Sequence, residues 1–306
     1  MIFYVGHNDI DKLRWDTAIA SSFNKRQYAF SWYLDQVSPN WNALVLDDYV
    51  AVMPIFVRKR FGVSSIYTPL FCPQLGIFST IENNAFCVDD FINSIPSTFL
   101  FIDLTLNSYN FISKDFKISK LFLKYNQELS LNDEYENIRN KYKKSHIKNI
   151  EKFEAQNEIT ITDNNSFQDF YQFKIESLPE LNIKLKKSEQ LQLFNLFMTT
   201  NNKELLTIYL GYDKNNCPQG GVCFMKIEER VFIYTFCNKL GKKYGLIYFI
   251  VNQFIKENAG RNLILDFMGS SIEGVRYRNL GFGSDELEYS FVRINKLTNF
   301  LKIGKS

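Results

Sequence analysis

The clearest hydrophobic patterning lies in the last quarter of the chain. Val231 to Cys237 is an apolar run that reads as a strand. A turn of Lys and Gly residues leads from it into a strongly apolar helix, Tyr244 to Asn258. There Ile247, Ile250, Val251, Phe254 and Ile255 fall at the i, i+3, i+4, i+7, i+8 positions, and Gly260 stops the helix. Leu263 to Phe267 reads as a further strand. In many α/β proteins the order strand, glycine-containing turn, helix, strand offers backbone amides to a phosphate at the helix start.

Upstream of this segment, Leu205 to Leu210, Gly221 to Ile227 and Val231 to Cys237 are strand-like. The turns Asp213 to Gly221 and Glu228 to Arg230 separate them, which predicts an antiparallel meander. Ile159 to Thr162 reads as a short strand. Ser166 starts a helix with Phe167, Phe170, Tyr171 and Phe173 on or near one face, and Ser188 caps another carrying Leu191, Phe194 and Leu196 to Met198. A short helix and a final strand, Glu286 to Ile294, complete this half. The N-terminal half follows the plan more loosely. Trp41 to Leu46 and Val50 to Val57 predict a hairpin around Asp47-Asp48. Asn84 to Ile95 reads as a helix, Thr98 to Leu106 as a strand and Lys117 to Leu129 as a longer strand. Residue-level repetition is absent, so any duplication is one of architecture. The join, Ser130 to Lys152, begins polar and becomes a basic helix, which predicts domains at 1–130 and 131–306.

Composition narrows the chemistry. A length of 306 residues allows two domains, and 29 Phe and 17 Tyr supply a large core. The net charge of +3 is too small to argue for nucleic acid by itself. Cys72, Cys87, Cys217, Cys223 and Cys237 are scattered, odd in number and without C-x-x-C spacing, which points to buried thiols in a reducing compartment. His7 and His146 are the only histidines, so His-based metal or triad chemistry is not expected, and no metal is predicted. The N-terminus lacks a basic stretch followed by an apolar one. The longest apolar run, around Leu246 to Val251, falls far short of the ~20 residues that span a bilayer. A soluble, cytoplasmic protein is expected.

The order strand, helix, helix, three strands, helix, strand, helix, strand resembles the GNAT acyltransferase fold, here in two copies, so the expected class is α/β with mixed sheets. Two further segments carry a closer resemblance. Ile138 to Lys152 resembles the basic R-x-x-I-K-K-A-x-K helix that opens the second GNAT domain of FemAB-like proteins. Asp266-Phe267-Met268-Gly269 followed by Tyr277-Arg278-Asn279-Leu280-Gly281-Phe282-Gly283 resembles the D-F-x-G and F-K-x-G-F-G ending of the same superfamily. The run Ser31-Trp32-Tyr33-Leu34-Asp35, Trp41, Val52-Met53-Pro54 and Gln74-Leu75-Gly76-Ile77-Phe78-Ser79 is similar to uncharacterised bacterial relatives of that group. FemAB-like members move an aminoacyl group from aminoacyl-tRNA to a peptidoglycan precursor, and related GNAT domains use acyl-CoA. The resemblance therefore implies acyl-CoA or aminoacyl-tRNA as donor, and a small-molecule or peptidoglycan-precursor amine as acceptor. It admits tRNA as a partner and cell-envelope metabolism as a setting. The acceptor amine attacks the donor carbonyl directly, and a strand N–H polarises it. Two departures are visible. The Q/R-x-x-G-x-G/A acyl-CoA loop is here Asn238-Lys239-Leu240-Gly241-Lys242-Lys243-Tyr244-Gly245, and the lysine of the F-K pair is Arg278.

The candidate residues each carry two readings. Asn238, Lys242, Lys243 and Tyr244 hold a donor phosphate at the helix start, or form a plain solvated loop. Asp266, with Glu273, orients or deprotonates the acceptor amine, or else Asp266 caps the following Ser270/Ser271 turn. Arg276 and Arg278 grip a phosphate, with Arg278 at the family's lysine position, or lie on a solvated face where Glu273 pairs with Arg276. Tyr33 and Gln74, near Trp41, line a substrate groove between the domains, or belong to the core. The basic helix sets Arg139, Lys141, Lys143, Lys144, Lys148 and Lys152 against Glu151 alone. It contacts tRNA or an anionic membrane face, or is simply solvated, with His146 at a surface or interface. Two functions stay open: N-acyl or aminoacyl transfer, and a catalytically degenerate GNAT pair serving as a binding or interaction module. A deep polar cleft at Cys237 and Asn238 favours the enzyme, and a cleft filled by Phe and Tyr the binder.

Overall fold

A computed structural model of the chain describes residues 1–60, 62–81, 87–163, 166–181, 184–269 and 272–296. It divides into two compact units, Met1–Lys124 with Glu288–Ser306, and Tyr125–Leu287. The last strand, assigned from sequence to the second domain, therefore falls with the first unit from Glu288 onward.

The first unit contains β1 (Ile2–Val5), α1 (Lys12–Ser21), α2 (Ser31–Val37), β2 (Asn42–Leu46), β3 (Ala51–Ile55), β4 (Val57–Arg60), β5 (Val63–Ile66), β6 (Phe78–Ser79), α3 (Val88–Asn93) and β7 (Phe101–Thr105). Strands β1, β2, β3 and β6 form one sheet. The expected hairpin is β2–β3, paired from Asn42↔Ile55 to Leu46↔Ala51, and Asp47 and Tyr49 take positive φ to close it. Helix α3 occupies part of the expected Asn84 to Ile95, of which 84–86 lie outside the described residues. The aromatics are core: Trp15 and Trp41 are fully buried with ring centroids 4.6 Å apart.

The second unit contains β8 (Lys120–Ser130, from Tyr125 onward), α4 (Tyr135–Arg139), α5 (Lys144–Glu154), β9 (Ile159–Thr162), α6 (Phe167–Ser177), α7 (Lys187–Asn202), β10 (Leu206–Asp213), β11 (Pro218–Ile227), β12 (Arg230–Cys237), α8 (Lys239–Tyr244), α9 (Leu246–Asn258), β13 (Ile264–Asp266) and α10 (Glu273–Leu280). The closing strand β14 spans Asp285–Asn295. The strands lie in the order β8–β13–β12–β11–β10–β9. Of these, β10, β11 and β12 are the predicted meander, and β12 pairs parallel to β13 through the α8–α9 crossover. Ser166 caps α6 as expected, accepting from the Asp169 amide at 3.1 Å. Ser188 does not cap α7, because the helix starts one residue earlier at Lys187 and Glu189 bonds back to the Lys186 amide. The basic segment is two helices, α4 and α5, rather than one.

Strand alternation builds a core on each face of this sheet. On one face Val222, Phe224, Val231 and Ile233 pack with α9, where the Phe224 and Phe254 rings stack at 3.8 Å. On the other, Phe236 and Tyr234 meet Phe170 of α6 and Phe197 of α7. By the same alternation Thr235 and Cys237 belong to the α9 side.

Candidate functional site

The site begins where β12 loses a neighbour. Strand β13 pairs with β12 only at Arg230↔Ile264, Val231↔Leu265 and Phe232↔Asp266. Beyond Phe232 the β12 edge that faced β13 has no further registered partner among the described residues. A cavity of about 400 Å³ opens here. Cys237, Gly241, Lys242, Gly245, Leu246, Tyr248, Gly274 and Arg278 contribute to its walls.

Two glycines shape the wall from below. Gly245, at φ +80, separates α8 from α9, and a Cβ there would run into the Asn149 carbonyl of α5. This fixes the start of α9, so Leu246, Ile247 and Tyr248, the first turn of a 13-residue helix, border the cavity. Gly241 packs just as closely on the Gln219 carbonyl and the Cys237 thiol.

The helix start expected to cradle an anion is capped by the protein itself. Asn238 caps α8, its Oδ1 accepting from the amides of Leu240 and Gly241, both at 3.1 Å. Those amides are therefore taken by the protein, and Asn238 itself is held through Nδ2 donating to Gln219 Oε1 at 2.6 Å. The helix start bordering the cavity is that of α9, not α8. Lys242 lines the cavity, whereas the exposed Lys243 lies over the Tyr244 ring at 4.7 Å and the half-buried Tyr244 packs against the core.

Arg278 is the candidate that faces the cavity. Its Nη1 donates to Thr235 Oγ1 at 3.3 Å, while Nε and Nη2 donate to Asn279 Oδ1 at 3.3 and 3.2 Å. Burial pushes its pKa down, and among the described residues no carboxylate pairs with it. Arg276, two residues away, is committed elsewhere. It grips Glu286 with two bonds of 2.7 and 2.5 Å, not Glu273, and Glu286 also accepts from Gln127. Glu273 is exposed.

Asp266 is fully buried and its carboxylate is occupied. Oδ1 accepts from Asn126 Nδ2 at 2.9 Å and from the Met268 amide at 2.7 Å, and Oδ2 accepts from Arg230 Nη1 at 2.8 Å. Arg230 also pairs with Glu128 at 2.9 Å. This arrangement holds the turn in which Met268 and Gly269 take positive φ and leaves the carboxylate saturated. Ser270 and Ser271, its expected cap partners, lie outside the described residues.

His146 corrects another expectation. It is buried rather than at the surface, its Nε2 donates to the Arg278 carbonyl at 2.8 Å, and its ring stands edge-on to Tyr248 and Phe282. Burial lowers its pKa, favouring the neutral ring that makes this bond. It thus steadies the backbone of the cavity-facing arginine. The lysines of α5, Lys144, Lys148 and Lys152, are exposed. Tyr33 and Gln74 lie in the first unit with no exposed surface. Tyr33 donates to the Phe71 carbonyl at 3.0 Å, and Gln74 Oε1 accepts from Arg26 and the Ser108 amide at 3.3 and 3.2 Å. Side chains buried this fully do not form an open groove wall, so both belong to the packing of that unit.

Sequence reasoning missed Lys174, on α6. Its Nζ donates to the Thr235 carbonyl at 3.0 Å, and its pKa falls to about 8 through burial and then the charge of Arg278. No motif marked it, because it sits among the aromatics of an otherwise ordinary amphipathic helix. Metal-ligating clusters of His, Cys, Asp and Glu are absent among the described residues, and no described helix is long and apolar enough to cross a membrane.

No protein-family model matches the chain, and no curated protein matches it in sequence. Solved structures are similar along its length. A crystal structure of FemX covers 95% of this chain and 98% of its own at TM-score 0.61 and 10% identity. The C-terminal domain of a putative lysylphosphatidylglycerol synthetase from Agrobacterium fabrum covers 96% and 95% at TM-score 0.55 and 9% identity. A GNAT-family acetyltransferase from Colwellia psychrerythraea covers 96% and 99% at TM-score 0.54 and 8% identity. The chain therefore has the α/β, GNAT-like fold of these structures, as the order of elements predicted.

Proposed function

We propose that the cavity at the end of β12 seats an acyl donor and that the chain transfers its acyl or aminoacyl group to an amine. The observation that supports this reading most is the loss of the β12 partner after Phe232, beside a largely apolar cavity walled by a helix start, Lys242 and Arg278. The acceptor amine attacks the donor carbonyl, and the bond to the donor's thiol or hydroxyl leaving group then breaks. Backbone groups of β12 beyond Phe232 would polarise that carbonyl, a contribution that is usually the largest in acyl transfer. The first-turn amides of α9 and Lys242 meet the donor's phosphates. Donor classes compatible with the fold are acyl-CoA and aminoacyl-tRNA, and the acceptor is an amine on a small molecule, lipid or cell-wall precursor. Asp266 and Glu273 take no part in this reading, the first being saturated and the second exposed away from the bonded network.

Thermal-shift titration with coenzyme A, acetyl-CoA and aminoacyl-tRNA tests it. A donor at about 100 times its Kd stabilises the folded chain by about 2.7 kcal/mol, a clear rise in Tm. No rise with any donor contradicts the reading. Binding without turnover on an amine panel would leave the chain a binding module.

A further inference from the structure

Lys174 and Arg278 reach the same residue from opposite faces of the sheet. Lys174 comes from α6, on the side of Phe170 and Phe236, and donates to the Thr235 carbonyl at 3.0 Å. Arg278 comes from α10, on the cavity side, and donates to the Thr235 hydroxyl at 3.3 Å. They meet at the stretch of β12 that β13 has left. The other titratable group coupled to Lys174 is Cys223 of β11, a fully buried thiol that burial holds protonated. Among the described residues neither cation forms an ion pair with a carboxylate. Elsewhere in this unit Arg230 is matched by Asp266 and Glu128, and Arg276 by Glu286. Two neighbouring half-buried cations served only by a neutral carbonyl, hydroxyl and amide are costly to keep, since a charge drawn from water is normally paired.

We infer that Lys174 and Arg278 together seat one anionic group of a substrate, a carboxylate or a phosphate, at the free edge of β12. The planar fork of Arg278 suits either anion, and Lys174 adds a point charge from the opposite side. The acceptor or the acyl group would then carry a negative charge close to the reacting carbonyl, so acidic substrates are selected over neutral ones. This rests on the cavity being a substrate site, but its test uses neither coenzyme A thioesters nor aminoacyl-tRNA.

The full chain is labelled with trace acetic anhydride at pH 8, without addition, with inorganic phosphate and with malonate. Modification at Lys174 is quantified by peptide mass spectrometry against exposed Lys148 as internal reference. Charge-assisted bonds of about 1.5–3 kcal/mol predict that a saturating anion slows Lys174 labelling about tenfold or more, with Lys148 unchanged. Arg278→Met abolishes most of that protection. Lys174→Arg, which keeps the charge, retains anion-dependent thermal stabilisation, and Lys174→Met loses it. Protection by malonate alone assigns a carboxylate, and protection by phosphate alone a phosphate. Equal labelling of Lys174 with and without either anion, or protection that survives in Arg278→Met, overturns the inference. Failure of donor binding with anion protection intact would instead overturn only the acyl-transfer reading.

Discussion

Arg278 donates from Nη1 to the Thr235 hydroxyl at 3.3 Å, tying α10 to the edge of β12 where the strand has lost its partner. The bond places an unmatched positive charge on the wall of the cavity. Such a charge destabilises the empty protein and serves an anionic ligand. Arg278→Met is expected to leave Tm unchanged or raised in differential scanning calorimetry. Affinity for inorganic phosphate or malonate should fall about tenfold or more by isothermal titration. A large drop in Tm with unchanged affinity would make the arginine structural.

Lys174 makes a related statement about pH. Its folded pKa, about 8, lies below the ordinary lysine value near 10.5. Between these values the unfolded chain binds the extra proton, so stability rises with pH across that window and the penalty is fully present below it. Lys174→Met should therefore raise stability at pH 7 by about 1–2 kcal/mol, after allowance for the lost bond to Thr235. The gain should vanish above the ordinary lysine pKa. Urea denaturation at neutral and alkaline pH measures it, and a pH-independent difference contradicts the assignment.

A third expectation concerns the ring beneath the arginine. A Cβ at Gly281 would overlap the His146 side chain, which holds the Arg278 carbonyl. Gly281→Ala should cost about 2–4 kcal/mol, the penalty of overpacking a filled core. Because the folded pKa of His146 is lowered, stability should also fall as pH drops below the ordinary histidine value near 6.5. In His146→Phe that part of the acid sensitivity should be missing, which chemical denaturation at graded pH will show.

The two carboxylates named as catalytic candidates should separate cleanly. Removing the charge in Asp266→Asn leaves Arg230 less compensated in a buried network, an expected loss of about 3–5 kcal/mol. Glu273→Gln, at an exposed helix start, should change stability by less than about 0.5 kcal/mol and leave turnover intact. A Glu273→Gln variant that folds normally but loses activity would return that residue to the chemistry.

The elements were legible because their signals are local. The period of α9, the turns of the meander and the Ser166 cap lie within a few residues of the features they predict. Of the candidate site, Arg278 was legible through a resemblance and Lys242 through the Lys and Gly turn before the apolar helix. Lys174 is invisible because its significance comes from Thr235, 61 residues away in sequence, across the sheet. Asp266 was read both as a base and as a cap, since sequence does not show that Asn126, Met268 and Arg230 converge on it. The glycine turn suggested an anion cradle at α8, but Asn238 satisfies those amides itself. Tyr33 and Gln74 carried the chemistry of a groove and the burial of a core, and only packing separates the two.

The most direct test fills the cavity. Gly274 lies on its wall in α10, is exposed, and a Cβ there meets nothing within 4 Å, so a large side chain at this rim position is accommodated without displacing the fold. Isothermal titration of Gly274→Phe with whichever donor raises the Tm of the wild-type chain should show binding lost while Tm is maintained. Wild-type affinity for that donor in the filled variant would show that donors bind elsewhere and would contradict the account.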